Sequence, residues 1–400
     1  MTGLLGFLRR HPRPENDDRR DRPYPVTIEP SSGAPRGRVL FSYLEAPLRW
    51  AEDKPEFEFH SNWWESREIA RILVEEGYAV DAINWADDAF VPTHTYDVVF
   101  DISRNLGRLA PLVPPSALKI LHCTGSDAEY QNAAEARRVD ALRQRRGGSY
   151  TVQRTVAARE AQSRSLEVAD ACSLLGNDHT LATYPQRFRA KMRTVTVSAS
   201  DLGPNRKGPG AFVPPAHEFL WFFGWGAVHK GLDLLLEVFA ANPQWTLNVV
   251  GNALDEPEFV RLYERELTAL PNIRAHRFLR PGGPEFGEIL RRCFCVVAPT
   301  CSESISAAVV TCLQAGLFPI ISRDAGVSLP PGCGIYLEAC SLEEIEAAVR
   351  TAHALPEGAL SSQIGTVQRE ALRRYSRAAF RAEMSEFLRA ALRQWGAARS

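Results

Sequence analysis

No run of about 18 apolar residues occurs anywhere in the 400-residue chain, which excludes an ordinary membrane-spanning helix. Net charge is nearly absent too. With 47 basic against 48 acidic side chains there is no global field to hold nucleic acid or an anionic bilayer. The eight cysteines are scattered, and only Cys293 and Cys295 come within one residue of each other. That spacing gives neither a zinc site nor a disulfide scaffold, and fits reduced thiols in a cytoplasm. No internal repeat of a solenoid's period is present. Met1 to Arg10 holds a short apolar patch (Leu4, Leu5, Phe7, Leu8), too short for a signal peptide and sufficient only for weak peripheral contact with the inner face of a membrane.

What is present is ordinary globular material: 45% hydrophobic and 24% charged residues. The length exceeds the roughly 250 to 300 residues at which single cores stop growing, so two domains are expected. Residues 1–36, rich in Pro, Arg and Asp, read as a flexible leader. Strands are expected at Arg38 to Leu44, Ala79 to Trp85, Val98 to Ile102, Ile120 to Cys123, Ala169 to Leu175 and Thr194 to Val197. Helices are expected from Ser66 to Glu76 and from about Ala128 into Arg145. Strands alternating with helices signal a parallel sheet.

The stretch GPNRKGPGAFVPP, residues 203–215, breaks both periodicities and reads as an interdomain linker. Beyond it the pattern restarts. Strands are expected at Phe219 to Phe223, Thr246 to Val250, Ile273 to Phe278, Phe294 to Ala298 and Phe318 to Ser322. Helices are expected at Leu232 to Ala241, Glu258 to Leu270, Phe286 to Cys293 and Ala307 to Ala315. The expected organisation is an acceptor domain over 37–202, a donor domain over 216–365, and closing helices over 366–400 that pack back across the hinge. The site is expected in the cleft between two doubly wound domains.

After the strand WFFG come Trp225, Gly226, Ala227, Val228, His229, Lys230 and Gly231, then an amphipathic helix. A glycine-rich turn entering a helix presents backbone N–H groups to an anion, and Lys230 adds a cation there. Further on, APTCSESIS places Glu303 in a small-residue loop at the end of a strand, where open α/β sheets take ligands. A carboxylate there accepts hydrogen bonds from sugar hydroxyls. Ser304, Ser306 and Ala307 leave room and free N–H groups for a diphosphate close by.

Over roughly residues 219 to 340 this combination, strand-HKG-helix followed by P-T-x-S-E, a small-residue helix and A-G-L-x-P-I, resembles glycosyltransferase family 4. The resemblance implies a GT-B fold, α/β with two Rossmann-like domains facing a central cleft. It also implies a retaining, metal-independent transfer from a nucleoside diphosphate sugar, UDP- or GDP-linked, with no other cofactor. Lys230 would neutralise the diphosphate and Glu303 would bind the transferred sugar, with Gly224, Trp225, Gly226, His229, Gly251, Ser302, Ser304, Ile305, Ser306 and Thr311 lining the donor. Two positions depart from the pattern: Trp225 stands where the family carries an Arg, and Thr311 where it carries a second Glu. No Asp-x-Asp metal site is apparent, so fixed donors must stabilise the leaving group.

In the first half His122 ends the strand KILHC and is expected to face the donor sugar, as family members often have it. His60, Asn62, Trp63 and Thr124 are expected to touch the acceptor, a glycan, lipid-linked or small molecule; nucleic acid is not expected. Trp63 and Trp64 could stack on a sugar or cover the core. The run Arg137, Arg138, Arg143, Arg145 and Arg146 reads either as a solvated helix face or as a magnet for an anionic acceptor. Two rival readings are a catalytically silent GT-B scaffold and a sugar-nucleotide epimerase of the same fold.

Overall fold

A computed structural model describes residues 24–58, 60–206 and 218–398. The apolar patch at the start and most of the expected linker lie outside them. The described chain forms two compact units, one of residues 24–128, 157–198 and 377–398, the other of residues 129–156 and 199–376. These divisions correct the expected boundaries in three places. Residues 129–156 belong with the second unit, so do 199–202, and of the closing helical segment only the part from Arg377 onward belongs with the first.

The first unit holds a seven-stranded sheet: β1 (Val26–Ile28), β2 (Gly37–Tyr43), β3 (Tyr78–Asn84), β4 (Val98–Asp101), β5 (Leu118–Cys123), β6 (Ala171–Leu175) and β7 (Met192–Val195). Their order is β1-β3-β2-β4-β5-β6-β7, parallel throughout except for β1. β1 is a correction to the leader: Val26 to Ile28 pair with β3 in spite of the Pro-rich surroundings, and the Thr27 hydroxyl donates to Asp81 at 2.8 Å.

On one face α1 (Ser61–Glu75) packs through Ile69, Ile72 and Leu73 beside α10 (Arg377–Ala397), whose Phe380, Met384, Phe387 and Leu388 share the same core. The other face is covered through Leu106, Leu109 and Leu166 of two helices that the sequence did not announce, α2 (Asn105–Leu109) and α4 (Arg159–Val168). α3 (Ala128–Arg146) lies between β5 and β6 in sequence, but from Glu129 onward it belongs to the second unit.

The second unit is a six-stranded all-parallel sheet of β8 (Glu218–Phe223), β9 (Leu247–Gly251), β10 (Ile273–His276), β11 (Cys293–Ala298), β12 (Phe318–Ser322) and β13 (Ile335–Leu337), in the order β10-β9-β8-β11-β12-β13. β8 and β11 are buried at every residue, as near-continuous runs such as FLWFF and CFCVVA demand of central parallel strands. The helices include α5 (Leu232–Ala241), α6 (Pro284–Arg292), α7 (Ala307–Gln314), α8 (Leu342–His353) and α9 (Glu357–Arg374). The expected helix Glu258 to Leu270 is broken at Tyr263, a buried residue whose hydroxyl donates to Glu237 at 2.7 Å. Strand order reverses between β8 and β11, and that reversal positions the site.

Candidate donor site at the reversal of the second sheet

In an open α/β sheet the loops leaving two adjacent strands diverge where the order reverses, and the crevice at the carboxyl ends of those strands receives the ligand. Here the loops are those after β8 and β11, which carry Lys230 and Glu303, and their side chains meet in a direct ion pair. Both are sheltered, with side-chain exposures of 7% and 14%. Burial and the nearby Arg154 guanidinium push the Lys230 ammonium well below its ordinary pKa, with Cys301 and the Glu135 carboxylate opposing that shift.

The local backbone explains why HKG takes this place. Gly226 (φ 92°) and Gly231 (φ 74°) sit in the left-handed region that glycine tolerates, and both are crowded as well. A Cβ on Gly226 would stand 2.4 Å from Arg154 Cδ, and one on Gly231 2.5 Å from the Pro299 carbonyl. The buried indole of Trp221 donates to the Lys230 carbonyl at 3.1 Å and fixes the exit of the turn.

His229 is buried between the two loops. Its Nε2 donates to the Ser302 carbonyl at 2.6 Å, and its own carbonyl accepts from Cys301 N at 3.0 Å and Thr300 Oγ1 at 3.3 Å. Burial, reinforced by Arg154 and Lys230, pushes His229 well below its ordinary pKa. It is therefore a neutral hinge pin between the loops rather than a third cation. Thr300 Oγ1 also donates to Glu303 Oε1 at 3.2 Å and orients that carboxylate.

The segment 129–156 supplies what the motif reading missed. Arg154 Nη1 donates to the carbonyl of Trp225 at 3.4 Å, so a guanidinium stands beside the residue where the expected arginine is lacking. Its Nε is buried without a hydrogen-bond partner. Glu135 accepts from Gln153 N at 3.0 Å and Arg154 N at 2.7 Å through Oε1, while Oε2 is buried and unpartnered. Burial raises its pKa. With Ser302 Oγ, also buried and unpartnered, three polar atoms around His229 are left unsatisfied, an arrangement that native interiors rarely hold without a ligand or water. Only the empty arginine position hinted at this, and nothing in the sequence pointed to residue 154.

The turn amides differ from expectation. Gly226 N (2.6 Å) and Ala227 N (3.1 and 3.2 Å) donate to the buried Glu256 carboxylate, which Tyr150 also meets at 3.3 Å. Burial pushes Glu256 up to about 7. These two N–H groups therefore serve a protein carboxylate in this structure. Ser306 caps α7 through a bond from Val309 N, and its amide donates to Ala325 O at 2.9 Å, so it is not open either. Thr311 donates its hydroxyl to Ala307 O at 2.8 Å within α7 and is buried. Ser304 and Ile305 are buried and Gly224 is half-buried, and all three lie in the same two loops; Gly251 ends the neighbouring β9.

The arginine run is corrected. Arg138 donates to Pro299 O (2.9 Å), Arg143 to Tyr150 O (2.7 Å), Arg145 to Asp233 (2.6 Å) and Glu237, and Arg146 to Glu266 (2.7 Å). Four of the five arginines are thus engaged within the second unit, and Arg138, Arg145 and Arg146 hold α3 to the rest of it.

In the first unit His122 is also corrected. It is wholly buried beside Tyr43 and Phe100, its Nδ1 is 2.8 Å from Ser173 Oγ, and burial pushes its pKa down to about 3. His122 is thus held neutral within the core, with its Nε2 buried and without a hydrogen-bond partner. His60 serves as the N-cap of α1, accepting from Asn62 N at 3.4 Å, while Asn62 itself carries a buried, unpartnered Oδ1. Trp63 packs edge-on against Trp50 at 5.2 Å and Trp64 against Phe380 at 5.9 Å, so both cover the core. Thr124 is half-buried in the loop after β5. Among the described residues no group of three or more His, Cys, Asp or Glu is placed to hold a metal ion, and no helix is long and apolar enough to cross a membrane.

No protein-family model matches the chain, and no curated protein does. Solved structures share its architecture. Sucrose-phosphate synthase from Thermosynechococcus elongatus superposes with a TM-score of 0.62 at 12% identity, over 90% of this chain and 100% of that one. HepE of Anabaena, solved with UDP and glucose, gives 0.57 at 12% identity over 88% and 99%. WaaG, a glycosyltransferase involved in lipopolysaccharide biosynthesis, gives 0.51 at 13% identity over 87% and 99%. Likeness at these identities is a likeness of fold, and with the two parallel sheets and the strand orders above it leads to one conclusion: the chain has the GT-B fold.

Proposed function

We propose that the chain transfers a sugar from a UDP- or GDP-linked donor to a carbohydrate, lipid-linked or small-molecule acceptor, with retention of configuration and without a metal. One observation carries the reading: the Lys230 and Glu303 side chains meet where the second sheet reverses order, at its carboxyl edge. In this reading the donor diphosphate displaces Glu303 from Lys230, so the ammonium neutralises the leaving group while the freed carboxylate grips the sugar's hydroxyls. Arg154 supplies the second cation that Trp225 cannot. Charge developing on the departing diphosphate is met by cations already fixed in a sheltered, low-dielectric place, where they act most strongly. Retention rests on the sequence resemblance, as does independence of metal.

The Lys230–Glu303 pair and the Glu256 carboxylate on the turn amides also favour a second reading, a scaffold whose donor groups neutralise one another. Isothermal titration with UDP- and GDP-sugars separates the two. Saturable heat that Lys230→Ala abolishes supports the enzyme; no heat with any donor leaves the scaffold. Where transfer is measurable, Lys230→Ala lowers turnover by roughly tenfold or more through lost leaving-group stabilisation. Wild-type turnover in that variant would remove Lys230 from the mechanism.

A further inference from the structure

The first sheet also reverses order, between β2 and β4, and its carboxyl edge there carries a second feature. A cavity of about 400 Å³ opens among the loop after β3, the start of α2 and the first two turns of α4, lined in part by Arg104, Arg108 and Arg164. Among its lining residues Asp88 alone is acidic; it pairs with Arg104 at 3.5 Å, and its side chain is 70% exposed. Three guanidiniums against that one carboxylate leave the cavity net positive.

The arginines differ in how they are held. Arg104 donates through Nη2 to the Ala86 carbonyl at 3.1 Å, yet its Nε is buried with no hydrogen-bond partner. Arg108 is pinned by Phe90 O at 2.7 Å and by Asn105 Oδ1 at 3.3 Å. Asn105 is in turn tied to the Ser42 hydroxyl of β2 at 3.1 Å, which anchors α2 beside the reversal. Arg164 is exposed on α4, and α4 comes this close because residue 107 is glycine: a Cβ there would stand 3.0 Å from Arg164 Cβ. The N-cap of α4, Ala158, offers no side-chain cap and lines the same cavity, with Glu160 the acidic residue of that first turn.

Planar guanidinium forks with spare N–H groups, held by carbonyl anchors beside an uncapped helix start, match an oxyanion. We propose that this cavity is a binding site for the phosphate or carboxylate group of a small molecule, separate from the donor site. Granted the sugar-transfer reading on which this step rests, that molecule is the acceptor, which makes the acceptor acidic. Of the two readings of the run from Arg137 to Arg146, the anion magnet passes in this proposal to Arg104, Arg108 and Arg164.

The test is isothermal titration of the full chain with inorganic phosphate and, separately, with citrate, in wild type, Arg164→Ala and Lys230→Ala, with UDP titrated in parallel. Arg164 is exposed, so its truncation leaves the fold intact; Arg104→Lys, which keeps the charge but loses the Nε–H, is the second variant. The expected result is saturable binding of phosphate or citrate, with the probe that binds identifying the acid group. Arg164→Ala and Arg104→Lys weaken it about tenfold or more, and Lys230→Ala leaves it unchanged. UDP affinity does not change in the arginine variants. No saturable heat with either probe overturns the proposal, as does binding that Lys230→Ala removes and Arg164→Ala retains, because the probe would then sit in the donor turn. If oxyanion binding follows the arginines while UDP fails to bind, this site stands and the sugar-transfer reading falls.

Discussion

Glu256 sits under the donor turn as a carboxylate with almost no water, accepting from Gly226 N and Ala227 N, and its pKa of about 7 follows from that burial. Because the folded-state pKa lies above the ordinary 4.5, the native protein keeps this proton between about pH 4.5 and 7 while the unfolded chain has released it. Stability contributed by the group is therefore greatest at low pH and is lost as pH rises through that window. Lifting a carboxyl from 4.5 to about 7 disfavours its charged form by about 3 kcal/mol once both states are ionised. Glu256→Gln removes the titration but keeps an amide oxygen for the two backbone donors, and its NH₂ can donate to the Tyr150 hydroxyl. The expected outcome is near-equal stability of variant and wild type at pH 4.5, and a variant more stable by about 3 kcal/mol at pH 8. Urea unfolding followed by tryptophan fluorescence at the two pH values measures it, with each unit's transition fitted separately. A stability difference that does not change with pH would show that Glu256 is ordinarily solvated and that the turn amides are not held as described.

Three further outcomes follow from the same geometry. Glu303→Gln should abolish sugar transfer while free nucleoside diphosphate binds at least as tightly as before, since Lys230 no longer shares its charge; lost nucleotide binding would place Glu303 on the wrong part of the donor. Arg154→Ala should weaken nucleoside diphosphate binding about tenfold or more, with partial rescue in Arg154→Lys, and an unchanged titration would make Arg154 a purely structural residue. Arg145→Ala leaves Asp233, whose side chain is fully buried, without the guanidinium that meets it at 2.6 Å; chemical denaturation should show a loss of about 3 kcal/mol, and a loss under about 1 kcal/mol would mean that α3 is held by other contacts.

The sheets were legible because strands buried on both faces leave continuous apolar runs, and the reversal of order made the HKG and P-T-x-S-E loops neighbours. Short or polar elements left no such trace. β1 is three residues in a Pro-rich stretch, α2 is a single turn and a half, and α4 reads REAQSRSLEV with only Ser165 and Leu166 buried. His122 lies within the core, and of the two readings of Trp63 and Trp64 the core one is found, because a sequence shows a residue's type and not whether its strand or helix turns it inward. The donor site illustrates the same limit from the other side. On the proposed reading Trp225 stands where the resembled family carries an Arg, and a diphosphate site short of one cation must draw it from elsewhere or fail. Sequence order says nothing of where, since α3 and the segment after it lie between two strands of the other unit. Only the fold brings Arg154 to the Trp225 carbonyl, with a buried N–H left over. That leftover donor is what makes the substitution at 225 legible, on the proposed reading, as a relocation of charge, and Arg154→Ala is the variant that tests the relocation.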